Sequence, residues 1–495
     1  MPEWVIFVSL WQINFENMEK NIIGRKEERK VLLSLSKSKQ SEFAVVYGRR
    51  RVGKTYLVRE LFEGKFAFYH TAISPFEMTD SDLLYRQQLK TFSESLRMYG
   101  DYHKEVPSDW FEAFSWLKEL LMRKGTGTRQ IVFIDELPWM DTPRAGFITA
   151  FEHFWNGWGA GCHNLFLIVC GSATTWINDK LLNNTGGLYG RATREIHLSP
   201  FTLSETYDYF KSRGLSIDQY DTLQAYMVVG GIPYYLSYFE TGLSIAQNID
   251  KMFFSKDSKL QVEFARLYQS LFKDSEKYVE IVKFLATKRI GFTRKEICDA
   301  LGISSGAGIT TMLQSLEASD FIIKYIPVGG SSRDAHYKLI DFFTLFYCHF
   351  TDKVKVGAGF WENSLHNPKL NAWRGFSFEE VCYAHADKIK NALGISGVNT
   401  NISPWISSEK DSKTQIDMVI DRDDRVVNIC EIKFYAGMFT ISKQYDLELK
   451  NKVTAFVEQC KKVKNPHLTL ITTYGLKQNM YSGGVQRVIT MEDLF

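Results

Sequence analysis

Cysteine is scarce and unorganised: seven in 495 residues, at 162, 170, 298, 348, 382, 430 and 460, with no CxxC pair. An odd, scattered set excludes a disulfide framework and a zinc knuckle, and it suits a reducing compartment, so a cytoplasmic location is expected. Long apolar runs are missing as well. Nothing approaches the ~20 residues that a membrane helix requires, so no membrane is expected among the partners. The opening MPEWVIFVSLWQINF is too short to span, and it lacks the basic start and small-residue cleavage site of a signal peptide. Nor is there a surplus of either charge: 60 Lys+Arg stand against 57 Asp+Glu, a net +3. That balance neither requires nor forbids nucleic acid, and any such contact has to come from local patches. Internal repeats and low-complexity tracts are also absent.

What is present is ordinary apolar content, 45%, with a somewhat rich aromatic share of 14%. The length accommodates about two to four domains. The methionine at 18 opens MEKNIIGRKEERKVL, which reads as the start of a helical domain and leaves 1–17 as a non-core N-terminal extension. The first half then alternates apolar β-type runs with helical stretches. The runs are Phe43–Tyr47, Phe66–His70, Ile131–Ile134, Leu165–Cys170 and Arg194–Leu198; the helical stretches include Asp80–Tyr99 and Asp109–Arg123. Alternation of this kind predicts an α/β core with a parallel sheet covered on both faces, over 18–200. A helical segment follows over 201–274, interrupted by VVGGIPYYL. Residues 275–340 read as three helices and a hairpin, the second helix opened by the capping box Thr293…Glu296. That set makes a winged helix-turn-helix. DFFTLFYCHF is a dense aromatic helix, 352–372 reads as irregular, and 341–372 as a whole is a helix and linker. The last region, 373–495, has a helix over Phe376–Leu393, strands Gln415–Asp421 and Arg425–Phe434, a Lys-rich helix over Ser442–Val463 and a strand over Leu468–Thr473.

VVYGRRRVGKTYLVREL holds Gly48, four residues, then Gly53-Lys54-Thr55. This is the Walker A pattern, after an apolar strand and opening a helix. Glycines let backbone amides approach phosphate oxygens, and the helix N-terminus adds its positive end. Lys54 is expected to neutralise the β- and γ-phosphates of ATP, and Thr55 to hold Mg²⁺. Downstream, IVFIDELPW ends a buried strand in Asp135-Glu136. Asp135 can reach Mg²⁺, and Glu136 can polarise an attacking water. LFLIVC delivers Gly171-Ser172, where Ser172 either senses the γ-phosphate or is a plain strand-to-loop serine. In GGLYGRATREIHLSPF, Arg191 either stabilises transition-state charge, in cis or on a neighbouring subunit, or is a surface ion pair.

Taken together, the Walker A loop, FIDE, GS, LYGR…I.L.PF and GGIPYYL resemble the archaeal- and bacterial-type ATPases near the AAA+ and STAND groups, over about Asn21–Ile340. The resemblance implies a P-loop NTPase with a five-stranded core, a helical lid carrying Gly230-Gly231-Ile232-Pro233, and a winged helix. The third helix of that module, GAGITTMLQSLEASDF, contains no lysine or arginine and two acids. An acidic reading helix attracts phosphate poorly, which favours an interdomain or regulatory role over groove reading. Thr310, Thr311 and Gln314 could touch base edges, and Lys324, Arg333 and Lys338 could touch phosphate.

In QIDMVID-RDD-RVVNICEIKF a hairpin can bring Asp417 beside Glu431, with Lys433 on the same strand face as Glu431. Two acids and a lysine are what metal-dependent phosphodiester hydrolysis uses, the acids holding Mg²⁺ and the lysine activating water. The same residues can equally form an ion pair and no more. Glu379 in GFSFEEVCYAH is a further candidate metal ligand. The set Asp417…Glu431-x-Lys433 is similar to the PD-(D/E)XK nuclease signature, and the resembling ATPases often carry such a C-terminal domain, including an ending like ITMEDLF. A restriction-endonuclease-like α/β fold is therefore implied for 373–495. Two functions stay open. One is an ATP-hydrolysing enzyme coupled to a nuclease-like domain acting on DNA. The other is a switch in which the ATP state controls oligomerisation or partner binding and the C-terminal domain is an inactive docking module.

Overall fold

The computed structural model describes residues 22–78, 80–125, 127–183, 186–272, 274–352, 357–364, 367–407, 414–460 and 464–495. The extension read at 1–17 lies outside the described residues. The chain divides into two compact units, one of residues up to 200 with the short segments 269–273 and 318–320, the other of the remainder.

In the first unit the apolar runs form β1 (Glu42–Tyr47), β2 (Phe66–Thr71), β3 (Gln130–Asp135), β4 (Leu165–Gly171) and β5 (Arg194–His197). They make one sheet in the order β2-β3-β4-β1-β5, and all four pairings are parallel. Every residue of β3 and β4 is buried, as central strands covered on both faces must be. Helices Ser81–Met98 and Trp110–Arg123 begin at Asp80 and Asp109, whose carboxylates accept from first-turn amides. Their apolar faces join Phe147–Gly157 in an aromatic core around Phe92, Trp110, Phe114, Phe147 and Phe151. The order places the C-terminal end of β4 between those of β1 and β3, the location at which open parallel sheets bind ligands.

The second unit opens with helices. Leu203–Ser212 starts at a capping box on Thr202. Gln219–Val229 stops at Gly230, whose φ of 64° ends it. At Gly231 a Cβ would stand 1.9 Å from the carbonyl oxygen of Phe201, so the two chains touch backbone to backbone. Next come helices Ser275–Leu285, Arg294–Leu301 and Ala307–Ala318 with a small antiparallel sheet of β6 (Phe292–Thr293), β7 (Ile322–Tyr325) and β8 (His336–Leu339), in the order β6-β8-β7. The capping box Thr293…Glu296 forms as read. The aromatic run after β8 is helical through Phe342–Phe346 and Tyr347–Thr351 and largely buried.

The C-terminal part holds a mixed sheet of β9 (Thr400–Ile406), β10 (Gln415–Arg422), β11 (Val426–Lys433), β12 (Asn465–Thr472) and β13 (Arg487–Thr490), ordered β13-β12-β11-β10-β9. The β9-β10-β11 pairings are antiparallel and β11-β12-β13 parallel. Helix Lys443–Gln459 supplies Leu449 and Phe456 to the core of this sheet. Two expectations need correction here. The stretch read as irregular up to 372 already contains helix Phe360–Asn363 and the start of helix Pro368–Ala384. Proline stands at the first turn of the latter, and the Asn367 side chain accepts from the Lys369 amide at 2.9 Å. The helix read over Phe376–Leu393 is moreover two helices, broken at His385 before Ala386–Ala392.

His385 is buried and fully engaged: Nδ1 donates to the Val381 carbonyl at 2.9 Å and Nε2 accepts from the Leu203 amide at 3.0 Å. Burial holds its pKa down at about 4. Its contribution is therefore complete above the unfolded value near 6.5 and lost as pH falls through about 4, up to roughly 3 kcal/mol at full titration. Urea unfolding of the wild type should show this decline in stability between pH 7 and pH 4, and His385→Asn should be less stable at pH 7 with a flatter pH dependence.

Candidate functional site

Two clusters of charged side chains are built on strand ends, one in each unit. In the first, the loop after β1 turns at Gly48, with φ 136°, and at Gly53, with φ 94°. A Cβ on Gly48 would stand 2.5 Å from the Leu198 carbonyl oxygen, so side chains are excluded there. Helix Lys54–Phe62 follows directly. The Lys54 ammonium turns back into the loop, donating to the carbonyls of Gly48 and Arg49 at 2.9 Å each. Thr55 Oγ1 lies 3.1 and 2.9 Å from the two oxygens of Asp135 at the end of β3. A hydroxyl and a carboxylate thus meet at a helix N-terminus, the hard oxygen donors that Mg²⁺ takes, beside an ammonium and a glycine-bounded loop suited to polyphosphate.

Burial raises the pKa of Asp135, with Glu136 adding to it against hydrogen bonds from Cys170 and Thr55. The Cys170 thiol, itself pushed well up by burial, donates to Asp135 Oδ1 at 2.6 Å. Glu136 sits in the left-handed region at φ 50°. Its carboxylate is held by Ser172, whose amide donates at 3.0 Å and whose hydroxyl lies 3.2 and 3.1 Å from the two oxygens. Gly48, Gly53, Lys54, Thr55, Asp135, Glu136 and Ser172 therefore converge on the adjoining ends of β1, β4 and β3. Arg191 is exposed, and its Nε donates to the Gly187 carbonyl at 3.3 Å, a contact within its own loop.

In the second unit Glu379, Asp417, Glu431 and Lys433 line one cavity of about 370 Å³ with Arg289, Gln415 and Lys452. Asp417 on β10 and Glu431 on β11 are neighbours across the hairpin, and Asp417 Oδ2 accepts from the Ile432 amide at 2.9 Å. Burial raises the Asp417 pKa, with Glu431 adding to it. Glu431 is 2% exposed and has two cations of its own, Lys433 at 2.8 Å and Lys452 at 2.7 Å; it also accepts from the Tyr445 hydroxyl at 2.6 Å. Burial works to raise its pKa, but the two lysines outweigh this and lower it. Glu379 pairs with Arg289 at 2.9 Å. Its pKa is pushed up to about 7 by burial and by Asp417. Among the described residues, no three His, Cys, Asp or Glu side chains come close enough to hold a metal ion as they stand, because Glu379 and Glu431 are drawn to cations rather than to one point. The donor chemistry nonetheless suits a divalent ion: three carboxylates border one cavity, and a lysine stands beside them.

Sequence reasoning missed Cys170, Arg289, Tyr445 and Lys452. The lysine-rich helix was visible, but which lysine reaches Glu431 depends on how that helix lies on the sheet. Lys338, read as a phosphate contact, is instead buried and paired with Glu380 at 2.8 Å. Its burial withdraws it from phosphate. Thr311 and Gln314 are exposed.

Residues 23–239 match the family model described as the ATPase domain predominantly from Archaea. The chain thus carries an ATPase domain of the archaeal type. An uncharacterized protein of Methanocaldococcus jannaschii is 27% identical over 368 residues, 72% of this chain and 76% of that protein. Among solved structures, a Walker-type ATPase of Pyrococcus abyssi is 18% identical, covering 66% of this chain and 96% of its own, with TM-score 0.46. The ORC2 protein of Aeropyrum pernix, in ADPNP-ADP complexes, is 13% identical, covering 66% and 94%, with TM-score 0.41. No helix among the described residues is long and apolar enough to cross a membrane.

Asp417 yields a prediction independent of any activity. Its raised pKa means that ionisation opposes folding as pH rises above the unfolded carboxylate value. Asp417→Asn keeps an acceptor for the Ile432 amide and removes the charge. It should raise the thermal midpoint at pH 7.5 and lose that advantage near pH 3.5, as read by scanning calorimetry at both pH values.

Proposed function

We propose that the chain binds and hydrolyses ATP with Mg²⁺ at the first cluster and uses the nucleotide state to control a PD-(D/E)XK-like nuclease site at the second, acting on DNA. The observation that carries the first part is the meeting of Lys54, Thr55 and Asp135. Gly48 and Gly53 would let the loop amides face the phosphates, and Lys54 would exchange the Gly48 and Arg49 carbonyls for phosphate oxygens. Thr55 and Asp135 would hold Mg²⁺, which supplies charge neutralisation on the phosphates. Glu136 would orient and deprotonate the attacking water. Ser172 holds that carboxylate, so Glu136 must exchange the serine for water before it acts. In this reading Ser172 controls the base and has no need to touch phosphate. Arg191 would stabilise transition-state charge only from another geometry of its loop or from another copy of the chain.

Three carboxylates and Lys433 around one cavity support the second part. Asp417 and Glu431, with Glu379, would hold the divalent ion. Lys433 would position water against a scissile phosphate. The module of three helices and the β6-β8-β7 sheet has the composition of a winged helix. Its third helix, Ala307–Ala318, offers phosphate no basic residue, so that module serves regulation rather than groove reading. The same neutralised carboxylates favour one alternative: an ATP-dependent switch whose C-terminal domain docks a partner without cutting.

Lys54→Ala should abolish ATP binding by calorimetry; unchanged affinity overturns the phosphate-loop assignment. Glu136→Gln should bind ATP and turn it over about a hundredfold more slowly or worse; retained turnover removes Glu136 as the base. For the second cluster, supercoiled and single-stranded DNA should be degraded with Mg²⁺ or Mn²⁺ by the wild type and not by Lys433→Ala. Intact DNA with both proteins, while ATP turnover persists, selects the docking switch.

A further inference from the structure

Arg289 comes from neither the hairpin nor the helices that carry the carboxylates. It stands in the turn between helix Ser275–Leu285 and β6, in the three-helix module, yet it lines the carboxylate cavity. Its guanidinium donates to Glu379 Oε1 at 2.9 Å and Oε2 at 3.2 Å, and its Cζ lies 3.3 Å from the centroid of the Phe376 ring, one turn before Glu379 on the same helix. The position is held from behind as well. Gly291, two residues on, has φ 71°, and a Cβ there would meet the Tyr337 carbonyl oxygen at 2.1 Å. Lys338, the next residue of β8, is paired with Glu380, the neighbour of Glu379. The turn that carries Arg289 is therefore pinned against the helix that carries Glu379.

Charge counting gives this contact a meaning. Around the cavity the acids are Glu379, Asp417 and Glu431, and the bases are Arg289, Lys433 and Lys452. With all three carboxylates ionised, the cluster balances without any ion. A divalent cation entering alone would leave it positive, so entry is opposed until a cation withdraws or an anion arrives. Lys433 and Lys452 are committed to Glu431. Arg289 is the base on Glu379, and it is the one supplied by a different module.

We propose that Arg289 is an internal competitor for the divalent cation, occupying Glu379 in place of metal and, once metal takes that carboxylate, turning its fork to a phosphodiester oxygen of the polynucleotide. The inference rests on the metal-site reading of the second cluster. It makes metal and polynucleotide bind cooperatively, and it makes the placement of the three-helix module a determinant of metal affinity.

The test is Mn²⁺ binding to the full-length protein without nucleotide, followed by the loss of the free Mn²⁺ electron paramagnetic resonance signal. The C-terminal contribution is the part abolished by Asp417→Asn. Arg289→Ala should bind Mn²⁺ there about two- to fivefold more tightly, the range set by a partly exposed ion pair. Arg289→Lys, which keeps the charge, should stay close to wild type. A short single-stranded DNA should tighten Mn²⁺ binding in the wild type and lose most of that effect in Arg289→Ala. Equal or weaker Mn²⁺ affinity in Arg289→Ala overturns the competition while leaving the metal site standing. An undiminished DNA effect in Arg289→Ala overturns the phosphate contact. Absence of Asp417-dependent Mn²⁺ binding in wild type and Arg289→Ala alike overturns the metal-site reading, and the inference with it.

Discussion

Lys54 places a full positive charge where only 5% of the residue reaches solvent, and its ammonium is held by the Gly48 and Arg49 carbonyls. An uncompensated charge so placed would cost several kcal/mol, so the loop has to wrap it. Wrapping fixes the rest. It demands a φ of 136° at Gly48 with the Leu198 carbonyl hard against it, which ties the loop to the strand end of β5. It demands a left-handed Gly53 so that helix Lys54–Phe62 can start at once. The helix then presents Thr55 to Asp135, Cys170 braces Asp135, and Ser172 holds Glu136. The ends of three adjacent strands are set by one buried cation and its partners.

The second unit meets the same constraint with the signs reversed. Buried carboxylates on β10, β11 and helix Pro368–Ala384 need cations, and each cation comes from a different element: Lys433 from the strand itself, Lys452 from the following helix, Arg289 from the turn before β6. Such bridges contribute little net stability, because desolvation cancels most of the attraction. Their consequence is specificity of arrangement. Each bridge also makes the cavity responsive to whatever moves its cation, which a layer of apolar side chains would not do.

Much of the fold was legible because its signals are contiguous. All five strands of the parallel sheet were found within a residue or two of their bounds, since a central parallel strand is an unbroken apolar run and β3 and β4 are buried throughout. Three strands escaped: β6, a two-residue edge, and β9 and β13, the edges of the C-terminal sheet. β9 carries Pro404, tolerated only where no ladder partner is needed on that side, and β13 is four residues with one buried. Neither has the alternation that marks a strand. The break at His385 escaped for a different reason: the residue at it is held by a partner no local pattern shows, the Leu203 amide 182 residues away.

The sequence by itself determined the glycine-bounded loop before helix Lys54–Phe62, the Asp135-Glu136 strand end and the acid-acid-lysine hairpin, because each is a local spacing that a strand or a helix start converts directly into geometry. Only the tertiary structure decided what those residues touch. Ser172 turned out to hold Glu136, Lys338 to lie buried on Glu380, and Arg289 to cap Glu379. These pairings join residues 36, 42 and 90 positions apart, and no periodicity encodes them. They follow from strand order, helix placement and the demand that a charge taken out of water find its opposite.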